Sequence, residues 1–173
     1  STLESTPEPP HDEHVDMVSL LSQIHSEAQA LSAGCQRITL DAEPGFDLLG
    51  TESELASAFG NLASNAVRYT PPGGEVRLIW RGSQKGAEFT VEDTGVGIEA
   101  EHIPRLTERF YRVDRGRSRE TGGTGLGLAI VKHALARHQA VLEIESTPGT
   151  GSRFTAKFPA RRVVPARAHT ETT

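Results

Sequence analysis

Asn61, Asn65 and Arg68 stand four and three residues apart in the stretch NLASNAVR, and Glu54 lies seven residues before the first of them. In a helix these side chains share one face. Asn is a poor helix former, and each copy in mid-helix costs about a few tenths of a kcal/mol. The spacing fits a solvated face. It also fits a site for a hydrated metal and phosphates, with Asn giving a neutral oxygen to Mg²⁺ and Arg a charge to the phosphates. Further on, VEDTGVGI at residues 91–98 reads as a strand that ends in Asp93 and turns through Gly95 and Gly97. An ionised carboxylate accepts hydrogen bonds and donates none, which suits the amino group of adenine and disfavours the carbonyl of guanine. The same letters also describe an ordinary Asp-Gly turn.

A third stretch, GGTGLGLAIVKH at residues 122–133, places four glycines in six residues and runs directly into an apolar helical pattern. Bare backbone at a helix start exposes N–H groups at the positive end of the helix dipole, and the two together favour an anion. Between the two glycine motifs lies TERFYRVDRGRSRETGG, with Arg109, Arg112, Arg115, Arg117 and Arg119 beside Phe110 and Tyr111. Alone, this segment could be a patch for nucleic acid or an acidic partner. Between an adenine-type turn and a phosphate-type turn it reads as a lid, polar, aperiodic and mobile from Thr107 to Gly122.

The elements that must carry these residues follow from periodicity. Asp16 can cap a helix with apolar positions Leu20, Leu21, Ile24, Ala28 and Leu31, stopped by Gly34. RITLD and FDLLG read as short strands, and TESE at 51–54 as a capping box, Thr51 and Glu54 satisfying each other at the start of a helix that continues to Tyr69. Its core stripe is Leu55, Phe59, Leu62 and Ala66, and Pro71 and Pro72 stop it. EVRLIWRG and GAEFTVED form an antiparallel pair through a turn at Ser83 to Lys85. A helix from about Gly125 to His138 and the strands AVLEIES and GSRFTAKF complete the pattern, and the tail after Pro159 reads as disordered.

Composition narrows the possibilities. A chain of 173 residues supports one domain with tails, and a net charge of −5 argues against a general nucleic-acid binder. Cys35 is the only cysteine, which excludes an internal disulfide and a cysteine-based zinc site. No run is long and apolar enough for a membrane span, and the opening STLESTPEPP, without an initiating Met, reads as a linker in a piece of something longer. There is no G-x-x-x-x-G-K-[ST], and the glycine turn follows a polar loop instead of a strand, which excludes a P-loop and weakens a dinucleotide-binding reading. The G-x-G-x-x-G and H-R-D set of a serine/threonine kinase fold is missing too.

NLASNAVRYTP, DTGVGI, ERFYR and GGTGLGLAIVKH together resemble, in order and in spacing, the N, G1, F and G2 boxes of the catalytic ATP-binding domain of sensor histidine kinases. HIPRLTERFYRVD, VRYTP and RHQAVLEIESTPGTGSRF most resemble the phosphate-regulon sensor kinases within that family. The resemblance implies a two-layer α/β sandwich of Bergerat type: a mixed, mostly antiparallel sheet, helices on one face and a flexible ATP lid. It implies the ATP-binding domain at residues 15–159, a linker at 1–14 from an absent phosphoacceptor domain, and a tail at 160–173. By motif, Asn65 is the Mg²⁺ ligand, Asn61 supports the phosphates, and Arg68 stands where the family often has Lys. Tyr69 packs on adenine, Asp93 accepts from its amino group, Gly95 and Gly97 let the ring approach, and Ile98 closes that motif. Phe110, Tyr111 and Arg112 serve the lid and the terminal phosphate, while Gly123, Thr124, Gly125, Leu126 and Gly127 form the phosphate-side turn. ATP and Mg²⁺ are the implied cofactors, with Asn65, Arg68 and Arg112 acting around the transferred phosphoryl group.

The implied partners are the dimerisation and histidine-phosphotransfer domain of the same parent protein and, indirectly, a response regulator. Neither nucleic acid nor membrane contact is implied for this domain, a cytoplasmic one in a parent of the bacterial inner membrane. Fold relatives among topoisomerase, chaperone and mismatch-repair ATPases and the anti-sigma serine kinases lack the ERFYR box. A nucleotide-sensing or docking module with degenerate chemistry is the alternative of another class, and the intact Asn65, Asp93 and glycine boxes argue against it. None of the seven histidines (His11, His14, His25, His102, His133, His138 and His169) lies in an acceptor motif of the H-E-L-R-T-P kind. HDEH at 11–14 has metal-ligand residue types within a flexible acidic linker, and His133 and His138 read as packing or surface residues.

Overall fold

The computed structural model describes residues 13–106 and 127–166. In chain order these form β1 (Glu13–Val15), α1 (Met17–Ser32), β2 (Arg37–Ala42), β3 (Phe46–Gly50), α2 (Glu52–Arg68), β4 (Glu75–Ser83), β5 (Gly86–Asp93), a 3-10 helix (Ala100–Arg105), α3 (Gly127–Arg137), β6 (Val141–Thr147), β7 (Gly151–Pro159), a 3-10 turn (Ala160–Arg162) and β8 (Val163–Pro165). Five strands make the main sheet in the order β2-β4-β5-β7-β6, with β2 and β4 parallel and the other pairs antiparallel. This is the mixed, mostly antiparallel sheet that the motifs imply.

Alternation along β4 explains the layering. Val76, Leu78 and Trp80 are fully buried on one face, while Arg77 and Arg81 stand on the other. The helices cover the apolar face, where the Phe59 ring of α2 lies 4.6 Å from Phe89 on β5 and edge-on to Phe158 on β7 at 5.9 Å. The Trp80 indole N–H donates to the Phe46 carbonyl at 3.3 Å, so the largest core side chain has its polar atom satisfied. The opposite face carries ion pairs in which Glu92 takes both Arg77 and Arg153, and Lys157 meets Glu143 at 3.0 Å. Among the described residues, no helix is long and apolar enough to cross a membrane.

The structure departs from the sequence expectations at three places. The capping box does not form: the Thr51 side chain makes no cap bond to α2, and Glu54 turns away to Arg137, whose Nε donates to both its oxygens at 2.9 and 3.0 Å. A charged partner outcompetes a backbone N–H for the carboxylate. Leu31, assigned to the apolar stripe of α1, is 46% exposed, because the buried stripe runs from Ala28 to Ser32 and leaves it at the edge. Residues assigned to linker and tail pair on either side of β3: β1 lies antiparallel to its end, and Val163, Val164 and Pro165 of β8 face Leu48, Asp47 and Phe46. The buried Asp47 carboxylate fixes this corner, accepting the Met17 N–H at 3.0 Å and the His14 ring at 2.8 Å. His14 is thus engaged with the fold instead of standing in a loose linker. The lid segment and the start of its glycine turn, residues 107–126, lie outside the described residues.

Candidate nucleotide-binding site

Three pieces of backbone converge at the C-terminal half of α2. The helix delivers Asn61, Asn65 and Arg68 and ends with Tyr69 as its C-cap. β5 ends at Asp93, and the turn that follows is tied to the helix end, with the Val96 N–H donating to the Tyr69 carbonyl at 3.4 Å. The turn between β6 and β7 closes from the other side: Gly149 N–H donates to the Val96 carbonyl at 2.8 Å, and Ile98 N–H to the Ser146 hydroxyl at 2.7 Å.

The α2 side chains divide by environment. The Asn61 amide donates to the Ser57 carbonyl at 2.7 Å, which turns its oxygen toward α3, where a Cβ added to Gly127 would stand 3.1 Å from it. Asn65 is half-buried and makes no side-chain hydrogen bond among the described residues, leaving a neutral carbonyl oxygen for another partner. Arg68 is exposed and has no carboxylate partner among the described residues. Glu54, on the same face by spacing, belongs elsewhere, since its ion pair with Arg137 ties α2 to α3.

Asp93 is the charged group at the strand end. Burial pushes its pKa upward, opposed by hydrogen bonds from the backbone N–H groups of Gly95, at 2.9 Å, and Ser152. Those donors orient the carboxylate and hold it as an acceptor.

The two glycines after it have a different reason from the one expected. A Cβ at Gly95 would come 2.3 Å from the Tyr69 carbonyl, and at Gly97, with φ 77°, 2.2 Å from the Thr147 carbonyl. Their bare sides face protein backbone, so they let the turn pack between α2 and the β6–β7 turn instead of making room for a ring.

Asn61, Asn65, Arg68, Tyr69, Asp93, Gly95, Gly97 and Ile98 therefore lie on connected elements, with Gly127 against Asn61. Phe110, Tyr111, Arg112, Gly123, Thr124, Gly125 and Leu126 lie outside the described residues. The sequence reading missed the supports. Gln36 donates to the Val67 and Thr70 carbonyls at 3.3 and 2.6 Å and so caps the end of α2 from a distant loop, a role that no local pattern signals. Ser146 and Ser152, which hold Ile98 and Asp93, sit in a strand pattern with nothing to mark them.

Residues 50–162 match the family described as histidine kinase-, DNA gyrase B- and HSP90-like ATPases. The chain belongs to this family. It is 55% identical over 95% of its length to the phosphate regulon sensor protein PhoR of Pseudomonas aeruginosa, and 43% identical over 92% to the sensor-like histidine kinase SenX3 of Mycolicibacterium smegmatis. It covers 37% and 42% of those relatives, so it corresponds to less than half of each. Among solved structures, it is similar to the mycobacterial sensor histidine kinase MprB, with a TM-score of 0.75 and 26% identity over 86% of this chain and 97% of that one. It is also similar to ShkA solved with AMPPNP, with a TM-score of 0.75 and 27% identity over 92% of this chain and 32% of that one. Within the family, the chain is a histidine-kinase catalytic domain of the ATP-binding type.

Proposed function

We propose that this domain binds ATP with Mg²⁺ and presents the γ-phosphoryl group to a histidine on a separate helical-hairpin domain of its parent, from which a response regulator is served. The observation that carries this reading is the meeting of a half-buried, amide-held Asp93 with the α2 end that bears Asn65 and Arg68. Asp93 accepts the amino group of adenine, and Tyr69 at the helix end covers the ring. Asn61 supports the phosphates and Arg68 meets one as a planar fork. Asn65 fits a Mg²⁺ ligand because its oxygen is neutral, half-buried and unused by the described residues. Mg²⁺, when bound, neutralises phosphate charge in a transfer whose loose transition state asks for positioning and electrostatic stabilisation.

The acceptor comes from elsewhere: no histidine of this chain lies in an acceptor motif, and three of the described ones are engaged by the fold. His14 pairs with Asp47, His25 meets the Ile38 carbonyl at 2.8 Å, and His138 is fully buried. The similarity to phosphate regulon sensors supports a parent in the same kind of signalling, anchored in the bacterial inner membrane. Calorimetric titration with ATP and GTP in the presence of Mg²⁺ tests the site. ATP binds, GTP binds at least about tenfold more weakly, and Asp93→Ala lowers ATP affinity about tenfold or more, as expected for losing a hydrogen bond to a charged acceptor. Equal affinity for the two nucleotides, or an Asp93→Ala variant that binds like the wild type, contradicts it.

A further inference from the structure

His138 follows α3 directly, at the opposite end from Gly127, and is fully buried. Its ring joins two helices. Nδ1 lies 2.7 Å from the Ala134 carbonyl, one turn back, and Nε2 lies 3.0 Å from the backbone N–H of Thr51, the N-cap of α2. A carbonyl opposite Nδ1 requires the proton there, and an N–H opposite Nε2 requires a lone pair, so these partners fix the tautomer. Next to it, Arg137 grips both oxygens of Glu54. The ring has no room to shift, since a Cβ on Gly50 would come within 2.4 Å of it.

α2 and α3 therefore run antiparallel and are clamped at one end through Thr51 and Glu54. At the other end, a helix start without a side chain, Gly127, rests over the Asn61 oxygen. A helix is stiff along its axis, so the register set at Arg137 carries about 15 Å to Gly127. We infer that His138 is a positioning residue for nucleotide binding, its cross-helix hydrogen bond to Thr51 setting the register of α3 along α2 and hence the height at which Gly127 meets Asn61. This rests on the proposed phosphate-side role of Asn61. It also explains why a core position otherwise suited to an apolar residue holds an imidazole, which can bond both helices at once.

Two substitutions separate the ring's two bonds. In His138→Gln the side-chain oxygen reaches about as far as Nε2, keeping an acceptor for Thr51 and losing the bond to Ala134. In His138→Asn the amide stands near Nδ1, keeping a donor for Ala134 and losing the bond to Thr51. Titration of the wild type with ATP and Mg²⁺ comes first, and absence of binding there overturns the proposed function and this inference with it. Given binding, His138→Asn weakens ATP affinity at least about fivefold, the factor of one net hydrogen bond, while His138→Gln stays within about twofold of wild type. Both variants lower the melting temperature. Equal affinities in the two variants, whether retained or lost, assign His138 to core filling alone and overturn the inference. Should His138→Asn fail to fold, Thr51→Pro removes the same N–H with the imidazole intact, and Thr51→Ala retains it. Loss of affinity in the Pro variant only supports the inference, and equal affinity in both overturns it.

Discussion

Gly97 is held at φ 77° with the Thr147 carbonyl where a side chain would stand, so both its conformation and its neighbour exclude any other residue. Gly97→Ala is expected to destabilise the domain by at least about 2 kcal/mol, the sum of left-handed strain and a backbone that must retreat. Urea unfolding measures this, and a loss below about 0.5 kcal/mol contradicts the geometry. His138 offers a test by pH. Burial is the main cause that holds its pKa below the usual histidine value, with Arg162 and Arg137 adding to the depression, and the Ala134 carbonyl and Glu54 opposing it. The unfolded chain takes up this proton near pH 6.5 and the folded state resists it, so the stability it contributes is complete above that pH and is lost progressively as pH falls below it. The unfolding free energy therefore decreases between pH 7 and pH 5.5 more steeply in wild type than in His138→Gln. Parallel profiles for the two proteins mean that His138 charges freely in the folded state.

At the scale of elements, α2 joins the sheet, the other helices and the candidate site. Its apolar stripe of Leu55, Phe59, Leu62 and Ala66 was legible because packing against a sheet imposes helical spacing, and all four residues are buried. Its polar face was legible only in part. Spacing grouped Glu54 with Asn61, Asn65 and Arg68, yet one end of that face meets α3, and no local pattern tells which residues of a face a neighbouring helix will claim. The Glu54 pair is half-buried and held by two hydrogen bonds, and Glu54→Ala is expected to cost about 1–2 kcal/mol, more than an exposed pair would. A double-mutant cycle with Arg137→Ala checks it, a coupling energy near zero counting against a clamp. β8 was illegible for a related reason: VVP is three residues long, and its partner β3 lies more than a hundred residues earlier in the chain. Short strands carry too little periodicity to stand out, and long-range pairing leaves no local trace.

At the scale of the whole molecule, the layered architecture was legible because four ordered motifs and the alternation of the strands agree with one another. The sheet order, with β7 between β5 and β6, places Ser152 beside Asp93, and the β6–β7 turn beside the Asp93 turn. Sequence order gives no hint of that neighbourhood, which is why the residues holding Asp93 and Ile98 escaped the reading while Asp93 itself did not. On the proposed function, this arrangement supplies half of a phosphoryl-transfer site. Such a reaction needs a nucleophile held in line with the terminal phosphate, and placement supplies much of its rate. Incubation with γ-labelled ATP and Mg²⁺, with and without the helical-hairpin domain of the parent, tests this division most directly. The account predicts acid-labile label on the hairpin histidine only, lost with Asn65→Ala, and none on this chain when it is incubated alone. Stoichiometric label on this chain by itself, or no label on the hairpin at high concentration, would contradict it.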